Sequence, residues 1–180
     1  MVSTPPAQRR FEPLERKHNR AAFSCGSHPS LDDFLKTRAL QEMKKMASVT
    51  YVLLDVSAPK TILGYYSLTN TSVLLERIPL DLSTRIPKYP QVPGTLLARL
   101  ARDMRFKGRG IGETLLIDAL LRSYRAGLII GSAVVIVDAI DAKAAQFYME
   151  YGFMPFADQP KQLFQTMKSV SAVLLGAKLI

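Results

Sequence analysis

Lys107-Gly-Arg-Gly-Ile-Gly112 decides how this chain is read. It lies between Leu96 to Ala101, which reads as a strand, and Ile111 to Arg125, which reads as a helix. A glycine-dense turn leaves its amide N–H groups unshielded by side chains. The helix that follows adds its unpaired first-turn amides and the positive end of its dipole. Backbone of this shape binds phosphate, so the expected ligand is anionic. A P-loop requires a lysine and a hydroxyl residue directly after its last glycine, but Glu113 and Thr114 follow Gly112. A dinucleotide fingerprint requires Gly-x-Gly-x-x-Gly early in a βαβ unit, whereas Gly108, Gly110 and Gly112 are each two apart. Both owners are excluded by spacing.

What remains, Lys-x-x-Gly-x-Gly, resembles the Arg/Gln-x-x-Gly-x-Gly/Ala loop of the GNAT superfamily of N-acetyltransferases. A second phrase lies one βα unit downstream. Ala133 to Val137 is a β-branched run that reads as a buried strand, and Asp141 to Tyr151 reads as a capped helix ending at Gly152. Phe147, Tyr148, Gly152 and Phe153 fall on the family's Phe-Tyr-x-x-x-Gly-Phe. The resemblance implies an α/β (α+β) fold: a mixed sheet flanked by helices, with splayed parallel strands that admit the pantetheine arm of acetyl-CoA. It places the cosubstrate on Leu100, Ala101 and Arg102 at the strand end, on Lys107, Gly108, Arg109, Gly110, Ile111, Gly112 and Glu113 in the loop, and on Phe147. It makes Tyr148 the catalytic acid. Two positions depart from the family: Lys107 keeps charge but loses the fork of an arginine, and Arg102 stands where a valine is usual. Arg102 either enters the cleft or joins the basic surface.

Length and composition fit one globular enzyme domain. The 180 residues are 48% hydrophobic and 22% charged, which is neither disordered nor fibrous, and no internal repeat is visible. Met1 to Arg10 is expected to be disordered, the acetyltransferase domain to run over 11–169, and Val170 to Ile180 to form an apolar extension. The N-terminus lacks the apolar core of a signal peptide, and Ala126 to Val137 is too short to cross a bilayer, so the expected location is cytoplasmic. Cys25 has no internal partner and reads as a small buried hydrophobe. His18 and His28 lack metal-site spacing, and no metal is expected. Further strands are expected near Phe11 to Leu14, Val49 to Asp55, Ile62 to Val73, Phe153 to Phe156 and Leu163 to Met167. A first helix is expected over Leu31 to Met46, with Ser30 and Asp33 as a capping-box-like start. Pro79 to Pro93 is expected to be a long rigid connection.

The net charge of +9 is concentrated near the N-terminus and on the first helix, a field sized for a polyanion. No zinc finger, RNA-binding aromatic signature or base-reading helix accompanies it. Within the superfamily, Phe23 to Gly26, Leu31 to Leu35, Ser48 to Val52, Lys88 to Pro90 with Leu96 to Ala101, and Ala139 to Asp141 are similar to the toxin acetyltransferases of type II toxin-antitoxin pairs. That family acetylates the α-amino group of aminoacyl-tRNA and so blocks translation. The resemblance implies a tRNA substrate, a ribbon-helix-helix antitoxin and a homodimer. Lys36, Lys44, Lys45, Arg85 and Lys88 are the candidate tRNA contacts.

The chemistry agrees from the residues upward. An amine must be neutral to attack a thioester, and the departing thiolate is best protonated as it leaves. A tyrosine at its reference pKa of about 10 holds the needed proton at neutral pH. No residue is singled out as a base, although Asp138, Asp141 and Glu113 are available. An α-amine with a pKa near about 8 needs less help than a lysine near about 10.4, which favours aminoacyl-tRNA or a protein N-terminus. Other readings stay open: an acetyltransferase for a protein N-terminus, ribosomal protein or small amine, a silent acyl-CoA sensor, and a basic nucleic-acid-binding protein.

Overall fold

The computed structural model describes residues 8–84 and 86–180. Its strands are β1 Arg9–Pro13, β2 Val49–Asp55, β3 Ala58–Leu74, β4 Gln91–Arg102, β5 Val134–Asp138, β6 Met154–Pro155 and β7 Gln162–Thr166. They form one sheet in the order β1-β2-β3-β4-β5-β7-β6. The helices are α1 Pro29–Asp33, α2 Ala39–Lys44, α3 Leu80–Ser83, α4 Ile111–Ile130, α5 Ala142–Glu150 and α6 Met167–Gly176. β4 and β5 run parallel from Gly94↔Val134 to Leu97↔Val137. A parallel pair needs a long crossover, and α4 supplies it. β1 is antiparallel to β2, and β7 is antiparallel to both β5 and β6. This is the mixed α/β sheet expected from the sequence.

The chain forms two compact units, one of Met1–Ser67 with Arg99–Leu116 and the other of Leu68–Ala98 with Ile117–Ile180. The first has a core around Leu14, Phe23, Phe34, Val52, Tyr65 and Ala101. Phe23 meets Tyr65 edge-on at 5.5 Å, and the Tyr65 hydroxyl donates to the Leu31 carbonyl at 2.7 Å, so the buried phenol is satisfied. The second unit packs Val73, Val92, Val134, Ile136, Phe156 and Phe164. There Phe156 stacks on Phe164 at 4.7 Å, and the Arg77 guanidinium covers Phe156 at 4.2 Å while gripping Asp158 with two nitrogens.

Several expectations need correction. The first helix is not one regular run: α1 and α2 are joined by a π-helical segment, Phe34–Arg38. Phe34, Leu35 and Ala39 are all fully buried, and the wider turn, closed by the Ala39 amide on the Phe34 carbonyl, turns all three into the core. Ser30 is not the cap. The N-cap is His28, which makes no side-chain cap, and Pro29 at the first turn removes an amide that would otherwise need a partner. Acidic help goes elsewhere: Asp32 accepts from the Cys25 amide at 2.8 Å and the Ser24 hydroxyl at 3.0 Å.

The proline-rich stretch from Pro79 is not wholly irregular. It holds α3, and β4 begins at Gln91. Pro93 is tolerated in that strand because only its missing amide is lost. Its carbonyl still accepts from Ala133 at 2.9 Å. At the N-terminus Arg9 and Arg10 belong to β1, while residues 1–7 lie outside the described residues. The C-terminal segment contains α6, capped by the Thr166 hydroxyl on the Ser169 amide at 3.2 Å, and it buries Val170 and Leu174 completely. Among the described residues no helix is long and apolar enough to cross a membrane.

Candidate active site

The glycine loop is set by the strand end before it. Asp103 follows β4 and is fully buried. Its carboxylate accepts from the Arg105 amide at 2.9 Å, from Arg105 Nε at 2.9 Å and Nη2 at 2.7 Å, and from the Ser24 amide at 3.3 Å. Burial alone pushes this carboxyl up, but the Arg105 and Ser24 hydrogen bonds outweigh it and hold it below its ordinary value. The effect is to lock the short 3-10 turn Met104–Phe106 that launches the loop. From the other side, Arg9 of β1 donates to the Arg109 carbonyl at 3.1 Å.

Gly108 and Gly110 have φ of +77° and +69°, the left-handed region that favours glycine. A Cβ added at either would meet nothing within 4 Å among the described residues, so the loop backbone stands clear of them. The Lys107 amide bonds back to Met104, and the Thr114 amide and hydroxyl bond to the Gly110 carbonyl. Among the described residues the amides from Gly108 through Glu113 have no acceptor. Left-handed glycines, consecutive free amides and the start of a 20-residue helix make an anion nest. Lys107 and Arg109 are exposed beside it. Ile111 contributes only its amide, since its side chain is 1% exposed.

Gly64 on β3 holds this helix start against the sheet. An added Cβ would lie 2.7 Å from Leu115 Cδ1 and 3.0 Å from both Ile111 Cγ2 and the Ala101 carbonyl. Ala101 is buried in the core, and strand alternation puts Arg102 with Leu100 on the face opposite Ala101 and Arg99.

In the second unit, Asp141 caps α5 by accepting from the Ala144 amide at 2.7 Å, so this candidate base is committed to structure. Asp138 is exposed and accepts from Gln162 at 2.8 Å, while Glu113 lies exposed in the first turn of α4. The far end of α5 closes with a Schellman motif. The Gly152 amide bonds to Met149 at 3.0 Å and the Phe153 amide to Tyr148 at 3.2 Å, with Gly152 at φ +90°. The hydrophobic contact that accompanies this motif is the edge-on pair of Tyr148 and Phe153, 5.6 Å apart. Phe147 meets Tyr148 at 5.3 Å and Tyr151 at 5.2 Å. The phrase Phe-Tyr-x-x-x-Gly-Phe is therefore a cap that fixes the ring of Tyr148. That ring is 7% exposed, burial pushes its phenol above the ordinary value, and its hydroxyl has no hydrogen-bond partner among the described residues.

Lys44 and Lys45 are exposed at the end of the first helical stretch and Lys36 is half-buried. Lys88 is exposed in the second unit, on a groove of about 960 Å³ that Leu80 and Arg77 also line. Arg85 lies outside the described residues. Cys25 is half-buried, its thiol donates to the His28 carbonyl at 3.2 Å, and burial pushes its pKa up, which is the opposite of an activated nucleophile. His18 is buried. Its Nδ1 accepts from the Glu15 amide, so its Nε2 carries the proton shared with Glu12 at 3.1 Å. Among the described residues no group of three or more His, Cys, Asp or Glu could hold a metal ion.

The strand order, the parallel β4–β5 pair and the glycine loop opening α4 define a GNAT-type N-acetyltransferase fold. No family model matches the chain. The tRNA-acetylating toxin of Mycobacterium tuberculosis is 34% identical over 153 residues, which cover 85% of this chain and 89% of the relative. The probable toxin TacT of Sinorhizobium fredii is 29% identical over 182 residues, 97% of this chain and 99% of the relative. AtaT, solved in complex with acetyl-methionyl-tRNAfMet, superposes with a TM-score of 0.84 at 27% identity over 93% of this chain and 99% of that one. A tyrosine-to-phenylalanine mutant of AtaT, solved with the C-terminus of its antitoxin AtaR and acetyl-CoA, gives a TM-score of 0.78 at 25% identity over the same shares. This chain belongs to the family of tRNA-acetylating toxins.

Proposed function

We propose that this protein transfers the acetyl group of acetyl-CoA to the α-amino group of aminoacyl-tRNA and thereby blocks translation. The observation that carries the reading is the run of unpaired amides from Gly108 to Glu113 around two left-handed glycines. It supports a pyrophosphate grip, with Lys107 and Arg109 adding charge, and the polar backbone of Leu100 to Arg102 is assigned to the pantetheine amides.

The neutral α-amine attacks the thioester carbonyl, forming the C–N bond. As the C–S bond breaks, the Tyr148 hydroxyl donates a hydrogen bond to the departing sulfur, and the proton released by nitrogen ends on the thiolate, so that thiol and amide leave with the proton count closed. A phenol raised by burial is a weaker acid than a thiol of pKa near about 8.5, so its main contribution is a hydrogen bond to the developing thiolate, made in a dry setting. Because Asp141 is a cap and no other residue is placed as a base among the described residues, the amine must arrive deprotonated, which an α-amine of pKa about 8 does far more readily than a lysine.

By the same reading the protein acts in the cytoplasm as a homodimer and is neutralised by a ribbon-helix-helix antitoxin. The test is to incubate the purified protein with acetyl-CoA and a pool of aminoacyl-tRNAs, digest with nuclease, and identify products by mass spectrometry. N-acetylaminoacyl-adenosine is expected. Acetylation confined to lysine side chains or small amines would replace this reading with another acetyltransferase, and coenzyme A binding without turnover would make the protein a sensor.

A further inference from the structure

The first unit holds a second feature built for an anion, on a different part of β4. The Arg99 guanidinium lies 3.7 Å from the centroid of the fully buried Phe34 ring, and Arg38 approaches the same ring at 5.4 Å. Neither guanidinium has a hydrogen-bond or ion-pair partner among the described residues. Glu42, the carboxylate whose charge acts on Arg99, is bonded to the Ser48 hydroxyl at 2.8 Å. Partial burial already works against the charge on Arg99. A half-buried arginine with its planar face on an aromatic ring and its N–H edge unpaired is held in place but unsatisfied. Phe34 and Arg38 are the two ends of the π-helical segment, in which the Lys36 carbonyl is held by Arg20 at 2.9 Å, and such segments recur at functional sites.

We propose that Arg99 and Arg38, braced on Phe34, form a phosphate-binding pair that takes a backbone phosphodiester near the acceptor end of the aminoacyl-tRNA. The proposal rests on the function assigned above. A phosphate matches the fork of a guanidinium in both shape and charge, and a stacked arginine loses little freedom in binding it. Coenzyme A also carries phosphate, so the two sources must be told apart.

Arg99→Met keeps most of the stem that covers Phe34, and Arg99→Lys keeps the charge without the fork. Arg38→Met changes an exposed residue and serves if Arg99→Met does not fold. Each is measured for KM and kcat on aminoacyl-tRNA, for direct tRNA binding against salt, and for acetyl-CoA binding by calorimetry. Arg99→Met should raise the KM for aminoacyl-tRNA about tenfold, the size of one lost charged hydrogen bond, with kcat little changed. Its slope of log affinity against log salt should flatten by about 0.7 to 0.9. Acetyl-CoA affinity should stay the same, and Arg99→Lys should recover part of the loss. An unchanged KM and slope in a folded variant overturns the proposal, and so does a loss confined to acetyl-CoA binding, which would give the phosphate to the donor. Should the wild-type protein acetylate no aminoacyl-tRNA, the function falls separately. The pair then stands or falls on whether direct tRNA binding weakens in Arg99→Met.

Discussion

Gly64→Ala is the most informative single methyl group in the first unit. The residue lies in β3 with no left-handed φ, so alanine fits the backbone and reduces the freedom of the unfolded chain, a gain of about 0.4 to 1 kcal/mol. Against this stands the space. The new Cβ would sit 2.7 Å from Leu115 Cδ1, 3.0 Å from Ile111 Cγ2 and 3.0 Å from the Ala101 carbonyl. Leu115 and Ile111 are 0% and 1% exposed, and the third neighbour is strand backbone, so none can simply swing away. Overpacking of this kind costs about 1 to 3 kcal/mol, and the steric term wins. For a chain of this length the net loss should lower Tm by a few degrees, at about 2 to 4 °C per kcal/mol. The cheaper relaxation is for α4 to lift at its first turn, and that turn carries the free amides. Acetyl-CoA affinity, read by calorimetry, should therefore fall more than stability, read by thermal melting. Gly64→Ala with unchanged Tm and unchanged acetyl-CoA affinity would refute the claim that this glycine seats the phosphate nest.

Gly110→Ala places a methyl where no described residue lies within 4 Å, so its stability cost should be only the left-handed strain of about 1 to 2 kcal/mol, while acetyl-CoA binding measured by calorimetry drops at least tenfold. Asp103→Asn should destabilise at neutral pH. Because the folded carboxyl lies below its unfolded value near about 3.9, its contribution is present above that value and lost as pH falls through the folded one. Urea melts of wild type and variant should thus converge in acid, and a constant gap from pH 7 to pH 3 would show that the Arg105 pairing contributes nothing. Reversing Lys36, Lys44 and Lys45 to glutamate should weaken tRNA binding at low salt and flatten its salt slope, whereas a slope identical to wild type would remove these lysines from the interface.

The loop and the Tyr148 helix were legible because both are written in local chemistry: glycines where backbone must be left-handed or open, and a Gly-Phe pair that closes a helix. β2 could be read to the residue, Val49–Asp55, from its β-branched run. What escaped were features that local pattern does not encode. The π-helical turn exists because Phe34, Leu35 and Ala39 all need the same core, a demand made by packing partners far along the chain. Asp103 was visible as a residue but not as a hub, since its partners Ser24 and Arg105 meet only in three dimensions. Gly64 gave no signal at all, because its meaning lies in the side chains of α4. The apolar C-terminus carried a hydroxyl cap at Thr166 that could have announced α6. The prolines from Pro79 onward suggested irregular chain, but Pro93 fits a strand that needs only its carbonyl.

The role proposed for Tyr148 is to serve the departing sulfur in acetyl transfer to aminoacyl-tRNA. Tyr148→Phe isolates it well, because the hydroxyl has no partner among the described residues and its removal leaves the Schellman contact with Phe153 in place. The decisive measurement is single-turnover transfer of labelled acetyl to aminoacyl-tRNA by wild type and Tyr148→Phe at saturating acetyl-CoA. The rate should fall at least a hundredfold, about 2.7 kcal/mol of lost transition-state stabilisation, with acetyl-CoA affinity and Tm unchanged. Equal rates for the two proteins would contradict it.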